Sequence, residues 1–183
     1  MKKYFIQYKP FLLFLAKFFL TYIILAFIYQ GFLESYEEDN IDSITEFVAE
    51  NTKQLLILFN ADADILKFDS EPFIRLMYNQ QYVAKMIEGC NAISIIILFI
   101  SFVVSFSGRI KSTVFFILGG SLIIYILNVA RIAILCVLIY LFPKQQTLLH
   151  GVFFPLFIYG VVFILWVIWV NKFSLYAKNT TDS

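Results

Sequence analysis

Charge is scarce in this chain. Only 15% of its 183 residues are Asp, Glu, Lys or Arg, where a soluble domain carries about 25%. The fourteen basic residues are few and spread out, so no basic face exists for nucleic acid. Two cysteines make no disulfide framework. One histidine with one accessible cysteine falls short of a zinc ligand set. There is no Gly-rich phosphate loop, no His-Glu-x-x-His and no Gly-x-Ser-x-Gly, so no cofactor or metal is expected. What is present is apolar. Hydrophobic residues make up 61% of the chain and aromatics 19%, with a mean hydropathy of +0.81. Such a composition belongs in a bilayer, and the length suits one membrane unit rather than a membrane part plus a soluble enzyme.

Four apolar segments are long enough to span, since a crossing takes about 20 residues. They cover roughly 10–33, 89–108, 112–142 and 149–170. The expected fold is an all-α membrane protein with about four transmembrane helices, forming one domain over 1–177 with a disordered tail at 178–183. Lys17, the one charge in the first span, can carry its amine back to the interface. Trp166 and Trp169 stand where an aromatic belt would. The first span reads as an uncleaved signal anchor, because its apolar run is long and no small-residue cleavage pattern precedes Glu34. The third run reads as one helix, since no polar turn marks Gly119-Gly120.

The near-neutral total hides a segregation of charge. Residues 34–88 hold twelve acids and four bases, a net −8, and the remainder carries +9. This acidic stretch is the expected external loop. Within it Ile41, Ile44, Val48, Leu55 and Leu58 recur at helical spacing, and Ser43 with Glu46 has capping-box spacing. That predicts an amphipathic helix on or near the outer interface. Beyond it, Ile65–Phe68 and Phe73–Tyr78 flank Asp69-Ser70-Glu71-Pro72, which predicts two short extended segments around a turn.

The residues least at home in lipid carry the chemistry. Arg131 stands about 28 Å along a helix begun at Ser112, near the outer end of a roughly 30 Å hydrocarbon layer. An arginine there faces a protein interior, a polar cavity or the interface. Asn128 lies three residues earlier on the same face. His150, the only histidine, opens the fourth span, with Pro155 following. Cys90, in Glu88-Gly89-Cys90-Asn91, opens the second span, where a helix N-terminus favours a thiolate. Cys136 has only aliphatic neighbours and sits about 140° around its helix from Arg131, so it reads as structural. Three spans thus bring a thiol, a guanidinium and an imidazole to one outer depth, the groups an acyl-thioester route to amide cleavage needs.

These residues resemble a known family. Glu88-Gly89-Cys90-Asn91-Ala92-Ile93, Asn128-Val129-Ala130-Arg131-Ile132-Ala133 and Leu149-His150-Gly151 look like the three signature regions of the exosortase/archaeosortase family, most like its short exosortase F type. The resemblance implies a membrane-embedded cysteine transpeptidase or protease that cleaves C-terminal sorting tails of exported proteins. Its active site would face the outside of the cytoplasmic (inner) membrane. By the same resemblance Cys90 is the nucleophile, His150 the acid/base and Arg131 the third catalytic residue. Asn128, Glu88 and Asn91 are candidate orienting residues. Partners would be the membrane, the target tail and a small membrane protein. Two departures stand out: many relatives have more spans, and many have a small residue where Asn91 lies. The rival reading is a non-catalytic membrane subunit of an envelope or secretion complex, with Arg131 paired to an acid on a partner helix.

Lys2, Lys3 and Lys9, then Arg109 and Lys111, then Lys172 and Lys178 fall on one side of four spans, which positive-inside makes cytoplasmic. Reporter fusions at Asn60 and at Ser183 should therefore report opposite sides, Asn60 outside. Both on one side would exclude four crossings.

Overall fold

The computed structural model describes residues 2–36, 40–68, 71–106 and 108–173, with side chains from Tyr8 onward except those of 150, 153 and 154. The expected tail at 178–183, the Asp69-Ser70 part of the turn, and the Lys2, Lys3 and Lys178 side chains lie outside these. Six helices and three strands follow in the order α1 (Lys2–Leu33), α2 (Ser43–Leu58), β1 (Ala63–Lys67), β2 (Ile74–Tyr78), β3 (Gln81–Met86), α3 (Ile93–Ser105), α4 (Ile110–Leu141), α5 (Gln146–Leu148) and α6 (Phe154–Ile168). The chain is mostly helical, with the strands confined to the acidic loop. Among the described residues, three helical stretches are long and apolar enough to cross a bilayer: Tyr8–Leu33, Ile110–Leu141 and Pro155–Phe173.

The second expected span differs. Its helix α3 has only 13 residues, about 20 Å. A 3-10 turn, Glu88–Cys90, precedes it outside the α-helix. Asn128 Nδ2 donates to the Cys90 carbonyl at 2.8 Å, while Gly108 lies against Trp169, near the start of α4. Cys90 and Gly108 therefore stand level with Asn128 and with the first turn of α4, about 27 Å apart along that helix. The aromatic residues close the other end. Phe102 stacks on Trp166 with centroids 4.2 Å apart, and Trp169 is fully buried against Phe116. Trp169 is thus a core residue, and Trp166 packs half-buried against that core rather than standing free as a belt. Lys17 lines a cavity with Gly108 and Thr113, level with Arg109.

Helix α4 is one uninterrupted helix of 32 residues, about 48 Å long. Its two halves serve two separate cores. The first half packs with α3 and α6 around Phe99, Val103, Ile124, Ile158, Val162 and Trp169. The second half, from Val129 to Ile139, supports α2 and the sheet through Val48, Ala49, Ile74, Leu76 and Met86. Gly120 explains how α3 and α4 meet so closely. A Cβ there would fall 2.3 Å from the Phe99 ring, so the ring occupies the space that the glycine leaves.

Helix α2 forms where expected, with a different cap and a rotated face. Asp42, not Ser43, is the cap: its Oδ1 accepts from the Ile44 and Thr45 N–H groups, both at 2.9 Å. Glu46 instead pairs with Lys67 at 2.9 Å. The buried positions are Thr45, Val48, Ala49, Thr52 and Leu56, which rest against α4. Leu58 is 74% exposed. Lys53 holds the Asp64 carboxyl below its ordinary range through a 2.9 Å ion pair between α2 and β1, and the Ile65 N–H adds to this.

The sheet contains one more strand than expected, in the order β1-β2-β3, all antiparallel. β2 and β3 form a hairpin across Asn79-Gln80, both left-handed with φ of +50° and +61°, as a tight two-residue hairpin requires. A bulge opposite Leu76/Met77 breaks the alternation of β3.

The Phe99 contact yields a paired expectation. Gly120→Ala should lower thermal stability in detergent by about 1–3 kcal/mol through overpacking. Gly119→Ala, with open space around its Cβ, should be neutral or stabilising by up to about 1 kcal/mol. Equal effects at the two glycines would contradict the Phe99–Gly120 packing.

Candidate active site

Cys90 closes a three-residue 3-10 turn, Glu88–Cys90, directly after β3 and Ile87. Its N–H donates to the Ile87 carbonyl at 2.9 Å. To start α3 the chain must then reverse sharply. Ala92 makes the reversal with φ of +64°, a left-handed conformation that costs a residue bearing a Cβ about 1–2 kcal/mol. Cys90 therefore lies outside the first turn of α3, which begins only at Ile93.

Asn91 stabilises that reversal. Its Oδ1 accepts from the Ile93 N–H at 3.0 Å, and its Nδ2 donates to Tyr29 Oη at 2.7 Å and to Thr45 Oγ1 at 3.0 Å. The amide is 2% exposed, so both donors and the acceptor are used inside the protein. One side chain thereby joins α1, α2 and α3 next to the candidate nucleophile. Asn91 does not line the Cys90 cavity; it fixes the backbone beside it. Tyr29, which shares this role, carried no sequence signal, because a tyrosine near the end of an apolar helix looks interfacial.

On the other side of Cys90, Asn128 of α4 is 1% exposed and holds the Cys90 carbonyl. The expected neighbourhood of Asn128 and Arg131 is present, but the amide acts on Cys90 rather than on Arg131. One turn further along α4, Arg131 lines a cavity of about 160 Å³ together with Cys90. The walls are Ala84, Lys85, Met86 and Ile87 on the sheet side and Ile132, Leu135 and Ile139 on α4, with Gln146 also lining it.

The electrostatics of this cavity are unbalanced. The buried Arg131 Nε has no hydrogen-bond partner. The three ion pairs among the described residues are Lys53–Asp64, Lys67–Glu46 and Arg75–Glu71, and none involves Arg131. The acidic group in the lining of this cavity is the Cys90 thiol. A half-buried cation without an anion is costly, and the cost is relieved by an anion formed in the same cavity.

The other candidates fall in different places. Glu88 faces a separate cavity, lined with Tyr22, Tyr29 and Gln30 of α1 and with Ser94. Cys136 is fully buried among the α4–sheet core residues and is absent from the Arg131 cavity lining. His150 lies in the π-helical turn Leu149–Phe153 leading into α6, and its side chain lies outside the described residues, as does its distance to Cys90. Gln146 was missed. It precedes His150 by four residues, a spacing that places both on one side of a helix, and this was the available signal.

The sequence model of the transmembrane exosortase family matches residues 9–173. No curated protein and no solved structure matches the chain. The match runs from α1 through the end of α6, so it covers all three motif regions and the membrane helices that carry them. The chain belongs to the transmembrane exosortase family.

Proposed function

We propose that this protein is a membrane-embedded cysteine transpeptidase or protease that cleaves the C-terminal tails of exported proteins at the outer face of the cytoplasmic membrane. The observation that carries the reading is the shared cavity of Cys90 and an Arg131 that has no carboxylate partner among the described residues. Family membership supports a transpeptidase or protease-like role in general.

In this reading the Cys90 thiolate attacks the scissile carbonyl carbon, and a C–S bond forms as the carbonyl oxygen becomes an oxyanion. Arg131, with donors fixed in a planar fork, stabilises the thiolate before attack and the oxyanion after it. The tetrahedral species collapses by breaking the C–N bond, and the amine leaves with a proton from His150. Water or an amine acceptor then gives a proton to His150 and attacks the thioester, which releases Cys90. The apolar walls from Ile132, Leu135, Ile139 and Met86 keep bulk water away and strengthen each charge interaction. Asn128 is a positioning residue, because it holds the backbone of Cys90 and not the substrate.

Comparison of exported-protein C-termini by mass spectrometry tests the nucleophile. Cys90→Ala should leave a tail unprocessed that wild type removes, while Cys136→Ala retains most processing. Arg131→Lys should lose most activity at normal protein level, since lysine keeps the charge and loses the fork. Equal behaviour of the two cysteine variants would remove the nucleophile assignment, and normal processing by Arg131→Leu would remove the oxyanion role of Arg131.

Asn128→Ala should lower kcat about tenfold with KM little changed, the scale of one lost hydrogen bond at a buried carbonyl. A membrane-impermeant maleimide should label Cys90 in wild type, with Cys136 silent. In Asn128→Ala the labelling rate of Cys90 should change while the melting temperature stays within a few degrees. An unchanged rate and an unchanged kcat would remove the positioning role.

A further inference from the structure

The two edges of the sheet are treated differently, and the difference lies beside Cys90. The Asn79 N–H donates to the Asp62 carbonyl at 2.7 Å, which sets the parity of the central strand. Met77 and Arg75 turn their main-chain groups toward β1, and Tyr78, Leu76 and Ile74 turn theirs toward β3. Their β3 partners are Gln81, Ala84 and Met86. Lys85, between the last two, and Ile87, just beyond, therefore direct their main-chain groups off the open edge. The Ile87 carbonyl is already taken by the Cys90 N–H. The Lys85 N–H, the Lys85 carbonyl and the Ile87 N–H have no partner among the described residues.

The β1 edge is guarded by charge. Helix α2 packs against β1 and β2, with Lys53–Asp64 and Glu46–Lys67 ion pairs across the contact. The outward Ile65 N–H is bonded by Asp64 Oδ1 at 2.9 Å. On β3 the bulge near Val83 twists the first half of the strand away from straight pairing, a common way of blunting an edge. Past the bulge, the stretch from Ala84 to Ile87 carries the outward groups of Lys85 and Ile87, and these four residues also wall the Cys90–Arg131 cavity.

We propose that the polypeptide to be cleaved docks as a short fourth strand on β3, pairing its backbone with Lys85 and Ile87 so that its next peptide unit crosses the cavity to Cys90. This deepens the transpeptidase reading and rests on it. An extended peptide is the occupant because only its alternating N–H and C=O groups match the donors and acceptor on this edge. A cavity of about 160 Å³ admits one strand's side chains, whereas a helix is about 10 Å across. Main-chain pairing grips a tail of varied sequence while the cavity selects one side chain.

The test uses the full-length protein in nanodiscs and synthetic peptides spanning the cleavage junction that the wild-type and Cys90→Ala comparison defines. Each peptide carries one backbone N-methyl group, placed anywhere but the scissile amide. N-methylation should raise KM about tenfold at every second position near the junction and under twofold at the positions between, the scale of one lost hydrogen bond. Cleavage that persists with no two-residue period would overturn strand addition and leave the nucleophile assignment standing. An unmethylated peptide left intact by wild type, or cut equally by Cys90→Ala, would overturn the transpeptidase reading and this proposal with it. Lys85→Pro, which removes one open-edge donor, should raise KM in the same way. A disulfide-linked dimer of the Lys85→Cys, Cys90→Ala protein would put a second copy on the edge and also overturn the proposal.

Discussion

The hydrogen bond from Asn128 Nδ2 to the Cys90 carbonyl joins residues 38 positions apart at 2.8 Å, and the arrangement of the candidate site depends on it. In surroundings this apolar neither the amide nor the carbonyl could be left unpaired without a penalty of about 1–3 kcal/mol. The bond therefore sets the height at which the Cys90 turn meets α4. Arg131, one helical turn on, is then level with the thiol. Asn91 acts from the other side, tying the same turn to Tyr29 of α1 and Thr45 of α2. Two buried asparagines hold a strained left-handed reversal at Ala92, and the site inherits its rigidity from them.

The same contact divides the molecule into two cores. Before Asn128, α4 packs with α3 and α6 on aromatic and aliphatic side chains, with Phe99 set into the gap at Gly120. After it, α4 serves as the platform for α2 and the sheet. The candidate cavity lies at the junction, with Arg131, Ile132, Leu135 and Ile139 from the platform and residues 84–87 from the sheet. A chain with little charge thus keeps the Arg131 guanidinium, with Lys85 lining the same cavity, at the boundary between its apolar helices and its acidic layer. There a half-buried guanidinium without a carboxylate can act on whatever anion forms beside it.

The apolar runs for α1, α4 and α6 were legible because burial in lipid demands length and leaves no room for polar interruptions. The helix α2 and the first two strands were legible from periodicity, although Asp42 took the capping position expected of Ser43. The third strand was not. Its turn, Asn79-Gln80, lacks the glycine that usually marks a two-residue hairpin, and its bulge breaks the alternation by which a strand is recognised. The tryptophans were misplaced because an aromatic near a span end reads the same whether it faces lipid or a neighbouring helix. Only packing against Phe102 and Phe116 distinguishes the two.

By itself the sequence determined the class of the protein, the apolar segments, the acidic character of residues 34–88 and the family to which the motifs point. Each of these depends on composition or short spacing, which are local properties. The tertiary structure decided which polar groups meet. Asn128 reaches Cys90 rather than Arg131, Asn91 reaches α1 and α2, Glu88 faces a second cavity, and Gln146 joins the first. Those pairings depend on the relative height and rotation of helices far apart in the chain. These are set by side-chain interlocking such as Phe99 at Gly120, and no local pattern encodes them.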